Sequence, residues 1–185
     1  TAQSKGTKLF CVSGPVNKPG VYECEMGYPL KSLIEIDCGG IKSGRKLKAV
    51  IPGGSSTPIL TAPEVEELKI DYECCVLAET MLGSGAVIVF DDTADMVDHL
   101  TTLAHFYAHE SCGQCTPCRW GTHWCYQILK RVNEGKGKTG DLELLSDIAE
   151  NMMGKTICPL SDAAAVPILS FLKKFRYEFE AKIRK

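Results

Sequence analysis

The chain has 185 residues, 44% apolar, 24% charged and 8% aromatic, which suits one large or two modest domains and excludes a disordered chain. No run of 18 apolar residues is present, so a helical membrane span is excluded as well. Twenty-one Lys and Arg against 23 Asp and Glu give a formal charge of −2 with the basic residues scattered, so the electrostatic footprint of a nucleic-acid binder is missing.

The first half reads as strands and turns. Lys8-Leu9-Phe10-Cys11-Val12-Ser13 and Val21-Tyr22-Glu23-Cys24 are β-prone runs flanking Gly14-Pro15-Val16-Asn17-Lys18-Pro19-Gly20, a pattern that predicts a hairpin. Pro29 to Glu35 places Leu30, Leu33 and Ile34 at helical spacing with Pro at an opening position, and Cys38-Gly39-Gly40 stops it. Leu47 to Ile51 predicts a strand ended by Pro52-Gly53-Gly54. Strand, strand, helix, strand suggests a β-grasp unit, a sheet closed over one helix. Gly83-Ser84-Gly85 precedes a further strand, Ala86 to Phe90; with Ile88 where G-x-G-x-x-G needs its third glycine, it predicts a turn and not a nucleotide cradle.

After Asp92 the apolar period becomes helical. Met96, Val97, Leu100, Leu103, Ala104 and Tyr107 recur at three- and four-residue steps over Thr93 to His109, with Asp92 or Thr93 as the expected cap. Thr116-Pro117 opens a second helix whose expected buried stripe is Trp120, Trp124, Ile128 and Val132. Past the loop from Gly135 to Gly140, Asp141 is expected to cap a third helix with Leu144, Leu145, Ile148 and Met152 inward. A fourth runs from about Ala163 with Ile168, Leu169, Leu172 and Phe175 in register, Pro167 sitting in its first turn or bending it. The expected class is therefore α+β: a β-grasp domain over residues 1–92, then a four-helix bundle over 93–185.

Ten cysteines are too few for a disulfide scaffold, and reduced thiols in an intracellular compartment are expected. Cys112-Gly113-Gln114-Cys115-Thr116-Pro117-Cys118 is a C-x₂-C-x₂-C run in the link between the first two bundle helices, and Cys158-Pro159 lies in the link between the last two. Three thiolates this close can each hold a different iron of one cubane, with a fourth arriving from elsewhere. Cys158 is the best candidate for it, and Gly113 offers the close backbone approach that amide-to-sulfur bonds need. Zinc is the inorganic rival. Structural zinc sites are usually two separated C-x₂-C pairs, so three plus one leans toward iron and sulfide and a [4Fe–4S] cluster.

The other singled-out residues have plainer readings. His105 and His109 lack a third ligand. Cys11, Cys24, Cys38, Cys74, Cys75 and Cys125 read as small buried hydrophobes. Trp120 and Trp124 read as core, and Arg119 either as a partner for the reduced cluster's charge or as a surface residue.

Over Glu110-Ser111-Cys112-Gly113-Gln114-Cys115-Thr116-Pro117-Cys118-Arg119 and Thr156-Ile157-Cys158-Pro159-Leu160-Ser161-Asp162-Ala163-Ala164-Ala165, the sequence resembles the flavin-carrying NADH-oxidising subunit of respiratory complex I. It equally resembles the diaphorase subunits of NAD-linked hydrogenases and formate dehydrogenases. Gly6 to Phe10, Val16 to Val21, Ile51 to Pro58 and Ala86 to Val89 extend the likeness over nearly the whole chain. The departures are Trp120 where an acidic residue is usual, Lys155 where His is common, and Pro159, Ser161 and Val166 for the usual Ala, Gly and Trp.

The resemblance implies a soluble-ligand-binding β-grasp domain before a [4Fe–4S] helix bundle, with Cys112, Cys115, Cys118 and Cys158 as ligands and no bond-making catalytic residue. It implies an electron relay in an NADH dehydrogenase assembly, from reduced FMN to further clusters, rather than a zinc-stapled interaction module or an independent ferredoxin-like carrier. FMN and NADH would bind only an N-terminal domain that nothing here matches, so this chain alone is not expected to oxidise NADH. Implied partners are that flavin domain, in the same or a separate chain, a thioredoxin-like [2Fe–2S] subunit and a multi-cluster iron–sulfur subunit, with no nucleic acid and no membrane insertion. The implied location is cytoplasmic and peripheral to the inner membrane, or the mitochondrial matrix side in a eukaryote. The start Thr1-Ala2-Gln3-Ser4, without Met or signal segment, is expected to be the start of a piece of a longer protein.

Overall fold

A computed structural model describes residues 1–183; Arg184 and Lys185, the last two of the expected helical domain, lie outside the described residues. The chain divides into two compact units, one over Thr1–Ala94 and one from Asp95 onward. The fold is mixed α+β, with one sheet and helices.

In the first unit β1 (Thr7–Ser13) pairs antiparallel with β2 (Gly20–Glu25), Thr7 opposite Glu25 and Val12 opposite Gly20, which is the expected hairpin. The expected helix is α1 (Leu30–Ser32) running into a wider π turn over Leu33–Asp37. β3 (Leu47–Ile51), β4 (Leu60–Thr61) and β5 (Ala86–Asp91) complete a five-stranded sheet in the order β2-β1-β5-β3-β4. β5 runs parallel to β1 and antiparallel to β3. Strand alternation explains the core: Phe10 and Val12 of β1, Val87 and Val89 of β5 and Val50 of β3 gather with Leu30, Leu33 and Ile34 of the helical turn.

Two helices were not anticipated from the sequence. α2 (Ala62–Glu67) begins with a capping box, Glu64 accepting from the Thr61 amide at 2.7 Å and the Thr61 side chain closing back. α3 (Tyr72–Leu77) is capped by Asp71, which accepts from the Cys74 amide at 2.6 Å. Thr-x-x-Glu with Pro at the second position is the sequence mark of the first; each helix is only six residues long, too short for an apolar period to stand out.

The second unit is four helices, α4 (Met96–Glu110), α5 (Thr116–Asn133), α6 (Asp141–Met152) and α7 (Leu160–Ala181). α4 packs on α5 and α7, and α6 on α5 and α7. The cap of α4 is Asp95, accepting from the Val97 and Asp98 amides at 2.9 and 3.1 Å. This corrects the expected cap at Asp92 or Thr93, because the Asp91 carboxylate binds the Thr93 amide and hydroxyl and holds that stretch as a turn. On α5 the buried face is Cys118, Gly121, Thr122, Cys125, Ile128, Leu129 and Val132. Trp120 and Trp124 are 46% and 51% exposed, which corrects their assignment to the core. A Cβ on Gly121 would meet the Met152 side chain at 2.5 Å, so it is the small residue that turns toward α6 and the Trp120 indole one position away turns out.

The remaining helix ends also differ from expectation. α6 starts after Gly140, whose φ is +89°, and Asp141 is its first residue rather than its cap. Leu144 is exposed, with Leu142, Leu145, Ala149 and Met152 inward. α7 starts at Leu160, so Pro167 lies inside it and not in its first turn; the departure from helical dihedrals is at Phe175.

Asp141 is buried and takes a bidentate pair from Arg131 at 3.0 and 2.5 Å plus the Lys138 amide at 2.8 Å. Burial pushes its pKa up, but the Arg131 hydrogen bond and charge and the Lys138 amide prevail and hold it below the usual carboxylate value. A depressed folded-state pKa contributes stability above the unfolded value, near 3.9, that is lost as pH falls through the folded one. Asp141→Asn should cost about 2 kcal/mol at neutral pH and flatten the loss of stability on acidification below about pH 5, measured by urea midpoints across pH.

Candidate metal centre

All ten cysteines are free thiols, so no disulfide competes for them. Cys112 is exposed in the link after α4; Cys115 is the N-cap residue of α5 and half-buried; Cys118 lies in the first turn of α5 and is 7% exposed. Cys158 is exposed in the link from α6 to α7. These two links meet: the Ile157 amide donates to Cys115 Sγ at 3.5 Å. The structure therefore brings the Cys158 loop against one member of the triplet. Among the described residues it does not gather three His, Cys, Asp or Glu side chains into a finished metal cage.

The donor chemistry fits an iron–sulfur group. Four thiols free of disulfides stand on two adjoining links and the first turn of α5, and soft thiolates select iron–sulfur clusters or zinc. Cys115 and Cys118 lie at the amino end of α5 and Cys158 just before that of α7, where unsatisfied amides and the helix dipole favour negative charge.

Several neighbours shape the loop. Gly113, at φ +78°, sends its amide to Ser111 Oγ at 3.4 Å. Ser111 Oγ lies 3.2 Å from Cys118 Sγ. Arg119 donates to the Gly113 carbonyl at 2.5 Å and places its guanidinium 5.9 Å from the centre of the Trp120 ring, so it clamps the triplet loop. Trp120 stacks on Trp124 at 6.1 Å, both edging a surface groove of about 300 Å³ with Thr116, Pro117, Asp147 and Met152. Ser111 and the Ile157 amide escaped sequence reasoning because a sulfur's hydrogen-bond partners depend on how two loops meet.

The remaining expectations divide. His105 and His109 are exposed, and His105 packs on Tyr126 at 4.7 Å. Cys24, Cys38, Cys75 and Cys125 are buried as expected, whereas Cys74 is intermediate and Cys11 is exposed on the outer face of β1. Burial pushes the Cys125 thiol up to about 12, which makes it inert. Cys125→Ser should leave iron content unchanged while costing about 1–3 kcal/mol for a buried hydroxyl, read by metal analysis and by thermal melting.

Residues 98–182 match the model of the NADH-ubiquinone oxidoreductase-F iron–sulfur binding region, and residues 8–89 that of the SLBB domain. The chain is 46% identical over 184 residues to the mitochondrial NADH-ubiquinone oxidoreductase 51 kDa subunit of Neurospora crassa, which covers 99% of this chain and 37% of that relative. It is 47% identical over 181 residues to an NADH-quinone oxidoreductase subunit of Rhizobium meliloti, covering 98% and 43%. It thus spans about two fifths of the length of these curated relatives. A crystal structure of an air-oxidised NAD⁺-reducing [NiFe]-hydrogenase is similar over 100% of this chain and 31% of the hydrogenase chain, with a TM-score of 0.88 and 34% identity.

Proposed function

We propose that the chain, whose residues 98–182 match the NADH-ubiquinone oxidoreductase-F iron–sulfur binding region and whose residues 8–89 match the SLBB domain, is the iron–sulfur electron relay of an NADH-linked oxidoreductase. The first unit is then a β-grasp domain and the second a four-helix bundle. Cys112, Cys115, Cys118 and Cys158 would hold a [4Fe–4S] cluster. The observation that carries this reading is the 3.5 Å contact from the Ile157 amide to Cys115 Sγ, which ties the two cysteine-bearing links together.

When bound, a cluster of this kind supplies one-electron transfer with little rearrangement. The chain's residues do the rest. Four thiolates supply the ligands, the Ile157 amide donates to one of them, and the two helix amino ends favour the accumulated negative charge. In an assembled enzyme an FMN held by a flavin domain would supply the electrons, and a thioredoxin-like [2Fe–2S] subunit and a multi-cluster iron–sulfur subunit would take them up. No helix among the described residues is long and apolar enough to cross a membrane.

A zinc-stapled interaction module is not favoured, since the matching family is an iron–sulfur one. Anaerobically purified protein should be brown, bleach on addition of dithionite and recover its colour on reoxidation. Colourless protein that dithionite leaves unchanged would count against the relay.

A further inference from the structure

We propose that Ser111 sets the reduction potential of this site by donating its hydroxyl proton to the Cys118 sulfur. The inference rests on Cys118 being a cluster ligand. Ser111 Oγ stands 3.2 Å from Cys118 Sγ, within the range of an O–H···S hydrogen bond. A thiolate has no proton to give, so with Cys118 ligated the hydroxyl must be the donor.

The backbone fixes that direction. The Gly113 amide donates to Ser111 Oγ at 3.4 Å and occupies a lone pair of the hydroxyl oxygen, leaving its proton for the sulfur. Ser111 is itself anchored as the last residue after α4, its amide donating to the Tyr107 carbonyl at 3.1 Å. Gly113 reaches Ser111 Oγ with φ at +78°, a conformation that side chains other than glycine adopt at a cost. The receiving sulfur is on a residue only 7% exposed, where little water competes for it and a hydrogen bond counts for more.

The Ile157 amide contact to Cys115 is longer, at 3.5 Å, and belongs to the backbone. Ser111 is therefore the side chain through which substitution can change the sulfur hydrogen bonding. Hydrogen bonds to ligand sulfurs draw negative charge off the metal group and favour its reduced state. Ser111 is thus a positioning residue that acts through Cys118, and the test needs a readout other than turnover.

The full chain is loaded anaerobically as wild type, Ser111→Ala and Ser111→Thr, with iron content measured on each, and dithionite titrations are followed by electron paramagnetic resonance. At the potential where the wild type is half reduced, Ser111→Ala should show a reduced-to-oxidised ratio about tenfold lower, equivalent to 59 mV for one electron. Ser111→Thr keeps a hydroxyl and should stay within about twofold of the wild type. In the wild type and Ser111→Thr, but not in Ser111→Ala, proton hyperfine spectra of the reduced protein should contain a coupling lost on brief exposure to D₂O, since hydroxyl protons exchange ahead of buried amides. Ser111→Ala with full iron and an unshifted potential would overturn the proposal, and so would a wild type without the rapidly exchanging coupling. Absence of iron from the wild type would instead bring down the ligand reading beneath it.

Discussion

Replacing Cys158 by Ser should strip the bound iron or leave a degraded centre with fewer metals, while the fold of the helical unit persists. A site designed for four thiolates is left with three sulfurs and a hydroxyl that stays protonated near neutral pH, and Cys158 sits on the exposed link where no neighbouring cysteine can replace it. The other proposed ligands come from one continuous stretch of chain, Cys112 to Cys118, so this is the substitution that tests whether the second link contributes at all. Metal analysis and paramagnetic resonance on anaerobic protein check the first part, and circular dichroism the second. Full iron with an unaltered signal in Cys158→Ser would remove that residue from the ligand set. Cys125→Ser is the control, because Cys125 is wholly buried on the α5 face with its thiol far from ionisation.

Gly83→Ala carries the largest expected cost to stability. The turn at Gly83 presses into the turn after β3: a Cβ on Gly83 would lie 2.0 Å from the Gly53 carbonyl oxygen and 3.1 Å from the Thr57 side chain, at a φ of +49°. Gly53 has no more room, since its own Cβ would meet the Met81 oxygen at 2.4 Å. The obstructing atoms are backbone, and that carbonyl already accepts from the Ser84 amide at 2.9 Å, so neither turn can yield without breaking the bonds that join them. A loss of at least about 3 kcal/mol is expected for the sheet unit, against about 1 kcal/mol for Gly135→Ala, where φ is +68° but nothing lies within 4 Å of the added carbon. Urea denaturation of both variants measures the difference. Equal midpoints would mean that the two turns do not meet as described.

Much of this could be read from the chain because local chemistry and the final packing agree. The β1–β2 hairpin follows from alternating apolar residues around a Gly- and Pro-rich turn, and β3 spans Leu47–Ile51 as expected because its apolar run is bounded on both sides. The cysteine spacing marked a candidate site, and the family resemblance named the group it would serve.

What escaped depended on rotation or distance. One helical position, about 100°, separates Trp120 from Gly121, and a large aromatic on an apolar stripe reads as core until a partner helix demands the small residue instead. Cys11 alternates with buried Phe10 and Val12 along β1 and so faces outward, which strand period alone could have told. The Asp95 cap lost out to Asp92 and Thr93 because all three are good caps, and the Asp91 turn that decides between them is a side-chain contact. Ser111 carries no motif of its own. Its role comes from sitting seven residues before Cys118 in a loop that doubles back.

The most direct measurement is the iron and acid-labile sulfide content of the full chain purified without oxygen. A [4Fe–4S] centre gives about four irons and four sulfides per chain with negligible zinc. One zinc per chain without sulfide would contradict the electron relay at its root.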